Sequence, residues 1–218
     1  MKQLKQMIGV LLGTMCVGLG VALFKLSQFG QDSLSAMVFS LMYWFDIEGI
    51  DYSVYYIGVN VLFLMGMVFF LRNRIHIGTI INVLLTGVCA SLFLQLFEWL
   101  NWQNGNWPIR LLESLFGLVI ISFGIALYGS ANLGIAPYDG LPMICNRLCP
   151  KLSYAMSRIM VDLCCTIIAF VIGVCILHKT DIIHINTIFT FIAMGPLIAF
   201  FSKKINQYIY KWDQEVFS

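Results

Sequence analysis

Polar residues that follow two glycine-containing breaks are the first candidates for ligand chemistry in this chain. In the first break a Phe-Gly-Gln run leads to Asp32 and Ser33, and in the second a Gly-Ile-Ala-Pro run leads to Tyr138 and Asp139. A short apolar stretch follows each break, so these side chains fall at the start of a helix. Free N–H groups and the helix dipole at such a start favour an anionic or polar ligand.

Three further polar residues lie inside long apolar runs, where a charged or polar side chain is costly. Arg158 precedes Asp162 by four residues, so the two can form a structural salt bridge on one helix face, and a place in a polar cavity is the alternative. Asn60 and Asn82 either join helices by hydrogen bonds or line a cavity. The predicted substrate contacts are therefore Asp139, Tyr138, Asp32, Ser33, Asn60, Asn82 and Asp162.

Motifs for catalysis, nucleotide binding and metal binding are missing from the sequence. There is no P-loop, no Rossmann fingerprint, no HExxH run and no Gly-x-Ser-x-Gly elbow. The 7 cysteines are odd in number and irregularly spaced, which argues against a disulfide framework and a zinc site. We expect no enzymatic activity, no cofactor, no bound metal and no nucleic-acid partner. Any transport must then use a gradient or a separate energising subunit.

The composition shows which elements must position these residues. Of the 218 residues, 60% are hydrophobic and 11% are charged, whereas soluble domains are about 25% charged. A membrane span needs about 20 apolar residues. Two apolar stretches, Ser33–Phe45 and Tyr138–Leu148, are too short and are expected to be re-entrant or interfacial half-helices. Six runs are long enough: Met7–Leu26, Tyr52–Leu71, Gly78–Leu100, Leu111–Ala131, Tyr154–Leu177 and His184–Ser202.

The basic residues predict the orientation of these spans. If the N-terminus is cytoplasmic, Lys25, Arg110 and Lys179 fall on the outer side. The positive-inside rule therefore places both termini in the cytoplasm. The other ten of the 13 basic residues fall on the cytoplasmic side: Lys2, Lys5, Arg72, Arg74, Arg147, Lys151, Arg158, Lys203, Lys204 and Lys211.

The chain also repeats itself. Gly18–Gly30 aligns with Ser122–Gly134 at an offset of 104, and Ile75–Gly87 aligns with Ile183–Gly195 at an offset of 108. The change in offset places a small insertion near the Leu177–Ile182 loop. Each half then reads as span, half-helix, span, span, and because three spans is an odd number, the second half starts on the opposite side of the membrane.

The predicted fold is therefore an all-α membrane protein of about six spans, built as two inverted repeats over residues 1–104 and 105–218. Such halves recur in transporters, because they expose one central site to either side in turn. Glycines seven residues apart on one helix face let helices approach closely, and they also permit a homodimer or a partner subunit. These glycines are Gly13 with Gly20 and Gly117 with Gly124.

Two blocks, residues 124–142 and 75–87, resemble the YczE/YyaS/YitT-type bacterial integral membrane proteins. The matching positions are Gly124, Ala126, Leu133, Gly134, Pro137 and Asp139 in the second half, and Gly78, Thr79, Asn82 and Gly87 in the first. Ser33 and Ser35 replace Pro137 and Asp139 in the first half, so the site need not be symmetric. The resemblance implies a bacterial plasma-membrane protein and does not define a biochemical role.

These observations favour a small-solute transporter that works by alternating access, with its site between the halves near the two half-helix N-termini. The identity of the solute, the identity of the coupling ion and the oligomeric state in the lipid bilayer are left open. The alternative is a non-transporting accessory or assembly partner of another membrane protein. That alternative predicts tight glycine packing and no water-accessible cavity.

Overall fold

The computed structural model describes residues 2–102, 106–152, 154–179 and 183–210. These residues form eight α-helices joined by short turns, with no β-strand among them. The predicted boundary between residues 104 and 105 lies outside the described residues. The same holds for Ile182 in the predicted insertion loop and for Lys211.

The helices follow the predicted spans and half-helices closely. Arg72–Arg74 forms a 3-10 turn between the third and fourth helices, and π-helical turns over Phe170–Ile176 and Asn206–Tyr210 extend the last two. The eight helices are α1 Lys2–Ser27, α2 Ser33–Phe45, α3 Tyr52–Phe70, α4 Ile77–Trp99, α5 Trp107–Ser130, α6 Pro137–Leu148, α7 Tyr154–Ala169 and α8 Ile185–Ile205.

Among the described residues, five helices are long and apolar enough to cross a membrane: α1, α3, α4, α5 and α7 with its π-helical extension. The predicted sixth span, His184–Ser202, corresponds to α8, which has 21 residues and is not one of the five. The 13 residues of α2 and the 12 residues of α6 are too few to span. The chain is therefore an all-α protein with the helices of a multi-pass membrane protein.

Close contact between α1 and α5 forms the centre of the fold. Gly13 faces Gly124 and Gly20 faces Gly117, so the two helices run antiparallel. A Cβ atom at Gly13 would lie 2.7 Å from the carbonyl oxygen of Gly124, closer than real Cβ atoms approach. The predicted small-residue faces are therefore used inside the chain, where they bring two helix backbones together.

Each glycine turn docks on the start of a long helix from the other half of the chain. The Gly78 N–H donates to the Leu133 carbonyl at 2.8 Å, and the Asn186 N–H donates to the Phe29 carbonyl at 2.8 Å. Gly30, which follows Phe29, has a φ of 94°, and Gly134, which follows Leu133, has a φ of 107°. Only glycine adopts such backbone angles readily, so these residues fix where α2 and α6 begin.

The two short helices lie beside the same pair of spans. Both α2 and α6 pack against α3 and α7. The first eight residues of α2 are buried, and so are the first four residues of α6. Asp32 caps α2 by accepting from the Ser35 N–H at 3.2 Å, and Pro137 occupies the first turn of α6. Both N-termini are inside the protein, which disfavours the flat interfacial alternative.

Large apolar side chains face outward from the long helices. Leu62 is 66% exposed, Phe69 81%, Leu112 61% and Phe116 65%. Such an apolar surface suits contact with lipid tails. The helical backbone suits it too, because helices satisfy their own backbone hydrogen bonds. The 7 cysteines are all free thiols, so no disulfide staples the fold.

Candidate functional site

A small cavity lies between the N-termini of α2 and α6. Its volume is about 40 Å³, which is room for about two water molecules. Asp32 and Ser35 line it from α2, and Tyr138 and Asp139 line it from α6, while α1 and α5 supply an apolar wall. The two glycine-led helix starts singled out in the sequence therefore meet at one place.

Two donors from different helices hold Asp139. The Arg158 Nη1 atom lies 2.5 Å from Asp139 Oδ1, and the Tyr128 hydroxyl donates to Asp139 Oδ2. The aspartate is only 2% exposed. Both oxygens of this carboxylate therefore have a donor, as a buried charge requires.

Asp162 shares the same arginine. Its Oδ2 atom lies 3.4 Å from the Arg158 Nε atom, so the predicted pair within α7 is confirmed. The Tyr138 hydroxyl donates to Asp162 Oδ1, and the Arg158 guanidinium lies 4.8 Å from the centre of the Tyr138 ring. A cation over an aromatic face is a favourable contact. Tyr138 thus contacts both members of this ion pair.

Arg158 is placed differently from the sequence-based topology. It is counted above among the basic residues of the cytoplasmic side, but it is 9% exposed and lines the central cavity. It therefore belongs to the polar interior and carries no information about orientation. The remaining basic residues keep the same bias toward the predicted cytoplasmic side, so the predicted orientation is unchanged.

Asp32 is only half satisfied. One oxygen of its carboxylate accepts from the Ser35 N–H at 3.2 Å, and Oδ1 is buried with no partner among the described residues. The neighbouring Ser33 hydroxyl lies 3.2 Å from Thr166 Oγ1, and Thr166 also donates to the Asp162 carbonyl. The start of α2 is thus tied to the part of α7 that carries Asp162.

The two predicted asparagines have different surroundings. Asn82 lines the cavity and is 2% exposed, and its Oδ1 atom has no hydrogen-bond donor in the described part of the chain. Thr86, one turn further along α4, has a buried hydroxyl in the same condition. Asn60 is fully buried, but it is outside the cavity lining and donates to the Tyr56 carbonyl of its own helix. Only Asn82 is thus placed to meet a ligand directly.

Some cavity residues were absent from the sequence-based set. The polar ones are Tyr128, Tyr56 and Ser35, together with Arg158, which was named as a partner of Asp162 and as a basic residue on the cytoplasmic side. For Ser35 a signal existed, because the repeat alignment at an offset of 104 places it on Asp139. The two tyrosines offered no such signal, since aromatic residues are common throughout the apolar runs.

The long apolar helices and this buried polar centre define the class, a multi-pass helical membrane protein. Residues 4–203 match the model of the family described as "Family of unknown function (DUF6198)". The chain belongs to that family. A relative from Haemophilus influenzae, described as an uncharacterized protein, is 25% identical over 132 residues, which are 60% of this chain and 55% of that protein. No solved structure matches the chain.

Proposed function

We propose that the protein is a small-solute transporter of the secondary type, which works by alternating access at the cavity between α2 and α6. One observation carries the proposal: a short helix from each half brings its N-terminus to the same buried cavity, and ionisable side chains line it. Ionisable residues inside membrane proteins mark substrate and ion pathways. Secondary transporters build their sites from such interrupted helices at the interface of two repeats.

Contacts that occur twice support two exchangeable halves. At the offset of 104, Gly13 corresponds to Gly117 and Gly20 to Gly124. Exchanging the halves therefore turns the Gly13–Gly124 contact into the Gly117–Gly20 contact, which is also present. The helix pairs follow the same rule, because α1 packs on α4 as α5 packs on α8, and α2 packs on α7 as α6 packs on α3. Matched halves of this kind suit alternating access.

The proposal keeps the predicted location in a bacterial plasma membrane, with both termini in the cytoplasm, and the predicted kinship to YczE/YyaS/YitT-type proteins. It involves no enzymatic step. The ligand contacts in this proposal come from the cavity, chiefly Asp32, Asp139 and Tyr138, with Asn82 behind them. Ser33 and Asp162 act through the contacts that hold α2 and α6 against α7.

The accessory-protein alternative is favoured by a different observation. The cavity is small, and the α1–α5 contact is tight enough that a single added Cβ atom would meet a backbone oxygen. Close glycine packing around little free space is what a non-transporting membrane partner predicts. The two functions differ in whether the cavity ever opens to water.

Cysteine labelling tests this difference. In a cysteine-free background, Ser35→Cys places a thiol in the cavity lining, and Ala22→Cys places one on α1 at a fully buried position outside that lining. A membrane-impermeant maleimide is applied to right-side-out and to inside-out vesicles. The native Cys145 and Cys149 are unsuitable reporters, because neither lines the cavity.

Alternating access predicts that Ser35→Cys reacts in both vesicle orientations and that Ala22→Cys reacts in neither. No reaction at Ser35→Cys from either side would favour the accessory role. Reaction from one side only would contradict alternating access. A solute that slows the labelling from both sides would then give the class of substrate.

A further inference from the structure

The charged groups around the central cavity do not balance. Asp32, Asp139 and Asp162 are carboxylates, and Arg158 is the cation that pairs with the last two. Three negative charges against one positive charge leave this group with a net charge of −2 when all four are ionised. In a low-dielectric interior a net charge of this kind is unfavourable, so either a carboxylate takes up a proton or a counter-charge joins the group.

The helix N-termini in the cavity already have anions from the chain itself. Asp32 accepts from the Ser35 N–H at the start of α2, and Asp139 lies in the first turn of α6. Carboxylates at these positions complement the positive end of each helix dipole. The anionic ligand that the sequence pattern favoured is therefore not needed at either helix start.

Two of the buried side-chain atoms without a hydrogen-bond partner in the described ranges belong to residues that line the cavity. Both are oxygen atoms, Oδ1 of Asp32 and Oδ1 of Asn82. Asn82 and Asp32 line the cavity, and Asn82 is 2% exposed. Carboxylate, amide and hydroxyl oxygens are the ligands that hard cations prefer, and an ammonium group also donates to them.

We infer that the central site takes a small monovalent cation, either an alkali-metal ion or an ammonium-type group. Asp32 is its carboxylate ligand and Asn82 supplies an amide oxygen. The cavity of about 40 Å³ holds a dehydrated ion with a water molecule and excludes a bulky cation such as choline. This inference rests on the proposed function, because the cation is then the transported solute or the ion that drives transport.

Thermal unfolding of the purified full-length protein in detergent tests the inference. At fixed pH and ionic strength, N-methylglucamine chloride is replaced stepwise by lithium, sodium, potassium, ammonium or choline chloride. A ligand that binds only the folded state raises the unfolding temperature in a saturable way. The expected result is a rise with at least one small cation and none with choline. A rise with ammonium alone would identify an ammonium-type group as the ligand. A rise with alkali-metal ions alone would identify a metal ion.

Variants separate the charge of Asp32 from its role as a helix cap. Asn caps helices as well as Asp does, so Asp32→Asn keeps the cap and is expected to lose the cation-dependent shift. Asn82→Ala removes one oxygen ligand and is expected to weaken the apparent affinity about tenfold. Asp51 is the matched control, because it caps α3 through the Ser53 N–H and is exposed. Asp51→Asn should keep the full shift.

The absence of a shift with every small cation would overturn the inference, as would a stability change that follows pH alone. A full shift in Asp32→Asn would overturn the assignment of that residue. The transporter proposal fails separately. Cation binding without labelling of Ser35→Cys from both sides would leave the cation site standing and remove the transporter. Labelling from both sides without any cation effect would support the transporter and remove the cation site.

Discussion

Arg158 and Asp139 form a buried ion pair across two helices, with the Nη1 and Oδ1 atoms 2.5 Å apart. The pair joins α7 to the first turn of α6, although the residues are 19 positions apart in the chain. Asp162 pairs with the Nε atom of the same guanidinium, at 3.4 Å. A single arginine therefore sets the position of a short helix against a span and pairs with two buried carboxylates.

Removing this arginine should be costly. Arg158→Met leaves Asp139 and Asp162 buried without a counter-charge, and we expect the free energy of unfolding to fall by about 3–5 kcal/mol. Asp139→Asn should cost less, because Arg158 still pairs with Asp162 in this variant. The double variant should lose less free energy of unfolding than the sum of the two single losses. Reversible unfolding in mixed micelles measures all three.

Arg72→Met is the matched control, since Arg72 is an exposed arginine in the turn between α3 and α4. Its effect should stay within about 0.5 kcal/mol. If the effects of Arg158→Met and Asp139→Asn simply add, to within about 0.5 kcal/mol, the two groups are not coupled. The description of the site as one charge network would then be wrong.

Glycine at the α1–α5 contact makes a second prediction. In Gly13→Ala the new Cβ atom would lie 2.7 Å from the Gly124 carbonyl oxygen and 2.8 Å from the Tyr128 backbone nitrogen. Because backbone atoms cannot move aside alone, the helices must separate, and we expect a loss of about 1–3 kcal/mol in the free energy of unfolding.

Gly58 provides the comparison within the same protein. It lies in the middle of α3, and a Cβ atom there would meet nothing within 4 Å. Gly58→Ala should leave stability unchanged or raise it by up to about 1 kcal/mol, because alanine favours the helix. Equal effects of Gly13→Ala and Gly58→Ala in the same unfolding assay would show that the α1–α5 contact is looser than described.

The sequence predicted features that depend on local pattern. Ser33–Phe45 was predicted as a short helix and is observed over the same residues, because a capping aspartate and a bounded apolar run define it. Glycines seven residues apart share a helix face, which predicted that these faces allow a close helix contact, although not that α1 and α5 contact each other. The Arg158–Asp162 pair followed from the i, i+4 spacing.

Features that depend on packing were not predicted. The Tyr128–Asp139 hydrogen bond joins residues in different helices, and its existence depends on how the chain turns between α5 and α6. Asn60 was expected to contact substrate, but α3 directs it to the Tyr56 carbonyl instead of the cavity. Periodicity places a residue on a helix face, whereas the neighbour of that face is decided by the whole fold.

A pair of tyrosines makes the last prediction. The Tyr128 hydroxyl donates to Asp139 in the buried centre, and the residue is 3% exposed. Tyr128→Phe removes this donor from a buried carboxylate, so we expect the free energy of unfolding to fall by about 1–3 kcal/mol. The variant should also change how strongly a solute slows labelling of Ser35→Cys, because Asp139 then keeps its Arg158 partner and loses the tyrosine donor.

Tyr55 is the opposite case, since its hydroxyl is buried without a partner among the described residues. Tyr55→Phe removes a polar atom that gains nothing from its surroundings, so stability should stay constant or rise by up to about 1 kcal/mol. Both variants remove one hydroxyl and keep the ring, so packing is matched. A larger loss at Tyr55 than at Tyr128 would mean that the Asp139 carboxylate does not rely on the tyrosine hydroxyl, and that the buried centre is held by the arginine without it.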